Sequence, residues 1–253
     1  MASRDGPAGR ARGASAEFVC YTTGRWTGVR VRHGAPLADR LVRDAARLGL
    51  GALDLEGCLA ALERAGREAF GAGEGVVRLD ARRGEGGEPQ LVAQTRPVGP
   101  EPDAWSAVVA RALHEGPGLF PGAKRSPWAC IEQARAETAA ARVDDALLFD
   151  AAGRLVEAGR TSLVVVRADG RALTPPLARG GVRSVAREIA LAAHAEIAEG
   201  DVTLDEVRRA RELVALNAVR GARPIVRLDA RPVGAGTPGP LAVALRSLLD
   251  AAE

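Results

Sequence analysis

The sequence predicts a two-domain protein of mixed α/β class, with a small N-terminal α/β unit and a larger, strand-rich C-terminal domain. Three observations carry this. Apolar residues switch repeatedly between helical and strand spacing along the chain. The stretch His114 to Gly122 (HEGPGLFPG) concentrates proline and glycine, as an interdomain linker does. The length of 253 residues suits one large core or two small ones. The division read from these is a disordered tail over 1–16, a small unit over 17–113, a linker over 114–122 and the larger domain over 123–253.

The elements follow in order. Phe18 to Val31 reads as a strand pair with Thr27-Gly28 at its turn. From Pro36 to Leu50 the period becomes helical, with Leu37, Leu41, Ala45 and Leu48 on one face and Gly49 and Gly51 as the stop. A second helix runs from Leu53 to Phe70. Strands follow at Val76–Ala81 and Gln90–Thr95, separated by a charged glycine loop, and the small unit extends to about residue 112. After the linker, Ser126 and Pro127 read as N-cap and first-turn proline of a helix through Ala141.

Short strands come next. Ala146–Phe149 and Arg154–Val156 flank one turn, and Leu163–Arg167 and Arg171–Leu173 flank Asp169-Gly170, a hairpin signal. Gly180-Gly181 precedes a helix from Ser184 to Ile197. Thr203 with Glu206 forms a capping box for a short helix to Glu212. Strands at Leu213–Leu216 and Ile225–Leu228 and a last helix from about Leu241 complete the chain.

Composition bounds the function. Net charge is +3, but the arginines are scattered among 32 acidic residues, with no platform of aromatics for stacking bases, so no nucleic-acid partner is expected. Cys20, Cys58 and Cys130 form no CxxC, and His33, His114 and His194 show no metal-ligand spacing. Neither a metal nor a disulfide framework is expected. The N-terminal stretch lacks an apolar segment of signal-peptide type, and no run is long enough to span a membrane. Cytoplasm is the expected location.

Lys124 is the only lysine beside thirty-four arginines. Either residue serves for charge and solubility. Only lysine can lose its proton in a desolvated site and attack a carbonyl. A composition biased toward Ala, Arg and Gly would also leave one lysine by chance, so its surroundings must decide. Glu157 ends an apolar strand, where a carboxylate could hold a protonated ring nitrogen. Gly180-Gly181 leads into a helix whose free N–H groups suit a phosphate. Asn217, leaving a strand, could add a second phosphate contact. Amine, carboxylate and phosphate cradle are together what pyridoxal 5'-phosphate requires, although each signal alone fits an ordinary surface or turn.

The run from Lys124 through DDALLFDAAGRLVEAGRTSLVVVRADGRALTPPLARGGVRSVARE to ALNAVRGARPIV resembles the class IV aminotransferases, the fold-type IV pyridoxal phosphate enzymes. That group includes branched-chain and D-amino acid aminotransferases and aminodeoxychorismate lyase. The resemblance covers roughly residues 120–230 and extends loosely to GVRVRHGAPLADRL. It implies a C-terminal domain like a β-barrel with helices, and a cofactor between the domains.

It also implies roles. Lys124 would hold the cofactor as an internal aldimine and shuttle the proton. Glu157 would pair with the ring nitrogen. Arg40 and the backbone amides of Val185 and Ala186 would bind the phosphate, with Asn217 and Ala218 closing its other side. Ser162 stands at a cofactor-binding position where the family has asparagine. The family's pattern is also missing at Leu37, Pro127 and Ala186. Arg83, in a loop like that of the lyase, would meet a substrate carboxylate. The implied activity is transamination between a small amino donor and a keto acceptor, in a homodimer. Aminodeoxychorismate lyase, or a catalytically silent binding protein on the same scaffold, are the alternatives.

Overall fold

The computed structural model describes residues 18–100, 102–118 and 120–251. The expected tail, 1–16, lies outside the described residues. Chain order is β1 (Val19–Trp26), α1 (Gly34–Arg47), α2 (Leu55–Phe70), β2 (Gly75–Arg83), β3 (Pro89–Arg96), β4 (Trp105–Leu113), β5 (Arg125–Ser126) and α3 (Ala129–Ala141). Then come β6 (Asp145–Phe149), β7 (Leu155–Ala158), β8 (Ser162–Val166), β9 (Ala172–Thr174), α4 (Val185–Ala193) and β10 (Ile197–Glu199). The chain continues through α5 (Leu204–Arg208), β11 (Glu212–Asn217), β12 (Gly221–Leu228), β13 (Arg231–Pro232) and α6 (Pro240–Asp250).

The first sheet is antiparallel in the order β3-β2-β1-β5. Side chains alternate across each strand, which gives this sheet two unlike faces. Trp26 of β1 and Val77, Leu79 and Ala81 of β2 join Leu37 and Leu41 of α1 and Leu62 of α2 in one apolar core. The opposite face carries Tyr21 and Thr23 of β1 and Val76 and Arg78 of β2. The backbone register sets Tyr21 against Asp80 and Thr23 against Arg78, so these residues share a face. The core side fixes the register, because a slip of one residue would turn its apolar set outward.

The second sheet runs β10-β9-β8-β11-β12-β4-β6-β7, with β13 on β12. It curls: β7 returns toward β8 and encloses Leu147, Leu155, Leu163, Val165, Leu213 and Ile225. Helices α4 and α6 close its outer side, with Ala186 and Ala190 of α4 and Leu245 and Leu249 of α6 packed on Val164, Val214 and Leu216. The mixed α/β fold with a curled larger sheet is the one the sequence predicts.

Local differences have physical reasons. The expected hairpin at 18–31 is one strand plus a single bridge, Trp26 to Val31, across the turn at Gly28. Helix α3 starts at Ala129 and not at Pro127, because Ser126 is extended and paired with Val19. Helix α4 ends at Ala193, and Ile197 starts a strand parallel to β9. Strand β4 lies in a stretch where the sequence predicts no element. It pairs in parallel with β12 and β6, so it belongs to the second sheet, while β5 returns to the first. The capping box is present: Thr203 Oγ1 accepts from the Glu206 N–H at 3.2 Å and Glu206 accepts from the Thr203 N–H at 2.8 Å.

Candidate active site

A cavity of about 560 Å³ lies between the two sheets. Its size is that of a small-molecule or cofactor site. Of the residues singled out from sequence, Lys124, Arg40, Glu157, Ser162, Val185, Asn217 and Ala218 all line it. They come from widely separated parts of the chain, and only the fold brings them together.

Lys124 stands half-buried on the wall, just before β5. Its backbone is held on both sides. Its N–H donates to Asp44 Oδ2 at 2.9 Å, and its carbonyl accepts from the Tyr21 N–H at 3.1 Å. Its Nζ lies 5.1 Å from the centre of the Tyr21 ring. Desolvation, then the nearby charges of Arg40 and Arg135, lower its pKa from 10.5 to about 7. A large fraction of the amine is therefore unprotonated near neutrality, as a nucleophile requires.

Arg40 projects from the buried face of α1 and donates from Nη2 to Thr22 Oγ1 at 2.8 Å. Its Nε is buried without a hydrogen-bond partner. Burial lowers its pKa, with Asp44 one turn away opposing the shift. A buried guanidinium with a free donor on a cavity wall is poised for an anion. Helix α4 begins on the same cavity at Val185, after Ser184, which makes no side-chain cap. The first N–H groups of a helix lack internal partners and carry its positive end.

Glu157, in β7, is buried. Its Oε2 accepts from the Val182 N–H at 3.1 Å, while Oε1 is buried without a hydrogen-bond partner. The loop that supplies Val182 is pressed close: a side chain at Gly180 would meet the Gly116 carbonyl oxygen at 2.3 Å, and Gly180 has φ 101°. Only glycine suits that place.

Three residues fit less simply. Asn217 Oδ1 is spent on closing the β11–β12 turn, accepting from the N–H groups of Val219 at 3.0 Å and Arg220 at 2.7 Å. Only its Nδ2 remains to face a ligand. The Ala186 side chain packs in the apolar core and does not line the cavity, so any contribution comes from its backbone. Arg83 is a correction. It is exposed, bonds the Gly49 carbonyl, and falls on the helix-facing side of β2, opposite Val76 and Arg78.

Sequence reasoning missed the residues facing Lys124. Arg78 stacks on Tyr21, its guanidinium carbon 3.7 Å from the ring centre. Arg135 of α3 donates to the Tyr21 hydroxyl at 3.3 Å and to the Gly159 carbonyl at 2.9 Å. Arg96, Arg125, Arg160 and Arg220 add positive charge, against the carboxylates of Asp144 and Glu157. The strand period that puts Tyr21 and Arg78 on one face was available in the sequence; their pairing across two strands was not. Among the described residues, no group of His, Cys, Asp and Glu could hold a metal, and no helix is long and apolar enough to cross a membrane.

The family model for amino-transferase class IV matches residues 19–228. The chain belongs to this family. It is 30% identical over 111 residues to branched-chain-amino-acid aminotransferase-like protein 2 of Arabidopsis thaliana. That match takes in 43% of the chain and only 20% of the Arabidopsis protein. A hypothetical aminotransferase from Mycobacterium tuberculosis in its PLP-bound form shares the fold, with TM-score 0.79, 22% identity, and 92% and 88% of the two chains covered. So does a protein of Legionella pneumophila provisionally assigned as 4-amino-4-deoxychorismate lyase, with TM-score 0.81, 17% identity, and 92% and 90% covered. At these identities the two structures speak only for the fold of this family member.

Proposed function

We propose that the chain is a pyridoxal 5'-phosphate-dependent aminotransferase acting on an amino acid or related amine, with Lys124 as the residue that holds the cofactor. The observation that carries this is convergence. One cavity receives the sole lysine, a buried arginine beside a helix start, and a buried carboxylate with one oxygen outside any hydrogen bond. Those groups match an aldehyde, a phosphate and a ring nitrogen, and the cavity volume accommodates all three with a substrate. When bound, the cofactor supplies an aldehyde for primary amines and a ring that withdraws electrons from the substrate α-carbon.

The remaining work falls to the chain. Arg40 and the N–H groups of Val185 and Ala186 would bind the phosphate, with Asn217 Nδ2 and Ala218 as further contacts. Ser162 would add a hydroxyl to the cofactor site. Glu157 would pair with the ring nitrogen and hold its proton. Lys124 Nζ, with its lowered pKa, would be the base that takes a proton from the substrate α-carbon. Arg78 and Arg135, on the Tyr21 side of the cavity, attract the substrate carboxylate. Trp128 and Trp105 narrow the site and limit water.

The same reading implies a homodimer, which light scattering would check. The test of function is a pair of half-reactions. An amino donor should convert the bound cofactor to its amine form, and a keto acid should restore it. Release of pyruvate from aminodeoxychorismate without a keto acid would make the chain a lyase. A protein that never takes up the cofactor would be a silent member of the fold.

A further inference from the structure

His114 follows directly on β4, and its side chain is fully enclosed. Its backbone N–H donates to the Phe149 carbonyl at 2.8 Å, and its Nδ1 accepts from the Gly116 N–H at 3.0 Å. A nitrogen that accepts an N–H cannot also carry the ring proton, so the neutral ring carries it on Nε2. That Nε2 faces Oε1 of Glu157 at 3.4 Å. Both atoms are buried, and neither has a hydrogen-bond partner among the described residues. The Trp128 ring stands edge-on, 5.3 Å from the imidazole centre, and holds it in this orientation. Two orphaned polar atoms left facing each other are costly unless they act as a pair, and such contacts often shorten once a ligand is bound.

We propose that His114 is a positioning residue for Glu157, donating its Nε2 proton to Oε1 while Val182 donates to Oε2. The proposal rests on the reading of Glu157 as the partner of the cofactor's ring nitrogen. Two donors, one on each oxygen, fix the plane of the carboxylate. Each oxygen keeps a lone pair, so one remains for the ring nitrogen. The structure thus gives the start of the interdomain linker a part in the site, where sequence spacing offered only an isolated histidine.

The experiment has two arms. In the first, the cofactor-free protein is labelled with ¹⁵N-histidine, and the ring nitrogens of His33, His114 and His194 are read by NMR. His114 should be the Nε2–H tautomer, and Glu157→Gln should move its Nε2 signal while leaving the other two histidines unchanged. An Nδ1–H tautomer, or no response to Glu157→Gln, would overturn the contact.

In the second arm, His114→Phe and His114→Gln are loaded with pyridoxal phosphate. Removing the donor in the Phe variant should shift the pH midpoint of the bound cofactor's absorbance. It should also lower kcat about ten- to a hundredfold, the effect of losing one hydrogen bond to a charged group, with little change in KM. The Gln variant, whose amide N–H reaches the position of Nε2, should recover most of both. Equal impairment in the two variants, or an unshifted spectrum in the Phe variant, would show a merely space-filling histidine. Should the Phe variant fail to fold, the Gln variant and the NMR arm decide. A wild-type protein that bound no cofactor would defeat the proposed function, whereas the contact itself would still stand or fall on the tautomer.

Discussion

The backbone N–H of Lys124 is held by the side chain of Asp44, which lies eighty residues earlier in the sequence, at 2.9 Å. Asp44 sits one helical turn after Arg40 on α1. One helix face therefore places both the proposed phosphate contact and the anchor of the Lys124 backbone. Asp44 is buried, and desolvation raises its pKa against the lowering effect of the Lys124 N–H and the nearby arginines. Asp44→Ala should cost about 1–3 kcal/mol by denaturant unfolding, because it leaves a half-buried N–H unpaired. Asp44→Asn keeps an acceptor and should lose less. Equal losses would show that the Lys124 bond contributes nothing.

The lowered pKa of Lys124 sets a pH dependence. Between about 7 and 10.5 the unfolded chain holds a proton on this amine that the folded chain has lost. Stability of the cofactor-free protein should therefore rise with pH across that window. Reductive methylation of Lys124 should likewise have a midpoint near 7. A midpoint near 10.5 would mean that the amine is solvated.

Lys124→Arg keeps the charge and should reduce turnover about a thousandfold or more, since a guanidinium neither attacks a carbonyl nor relays the proton. Steady-state rates at saturating substrate settle the point. Activity within a few-fold of wild type would remove Lys124 from the mechanism.

Arg40→Met should weaken binding of pyridoxal phosphate about tenfold or more, by removing a charge-assisted contact. Binding of pyridoxal, which lacks the phosphate, should change little. Equal loss for both ligands, measured by fluorescence titration, would place Arg40 in a purely structural role with Thr22.

Much of this was legible in the sequence, and the limits have a physical cause. Period and turn chemistry are local, so α1, α2, the Asp169-Gly170 hairpin and the Thr203–Glu206 box could be read directly. Lys124 stood out because composition isolates it. Strand β4 was not legible: in Trp105–Leu113 the alternation of burial slips by one residue at Val108–Val109, where the pairing with β6 becomes irregular. The partners of the site residues were hidden for another reason. His114 meets Glu157, and Arg135 meets Tyr21, only through long-range folding, and no local spacing encodes such pairs. Arg83 was misplaced because strand β2 runs further than its apolar core suggested, which puts position 83 on the helix side.

Gly180→Ala tests the loop that supplies Val182. The added methyl must occupy a left-handed backbone position against the Gly116 carbonyl. It should cost about 2 kcal/mol and loosen Glu157 with it. A variant as stable as wild type by thermal melting would mean that the contact is slack.

Borohydride reduction followed by peptide mapping tests most directly whether Lys124 joins the cofactor covalently. With a single lysine in the chain, the reduced pyridoxyl group should appear on Lys124 and nowhere else. Its appearance only on the N-terminal amine, or its absence after incubation with excess cofactor, would contradict the account.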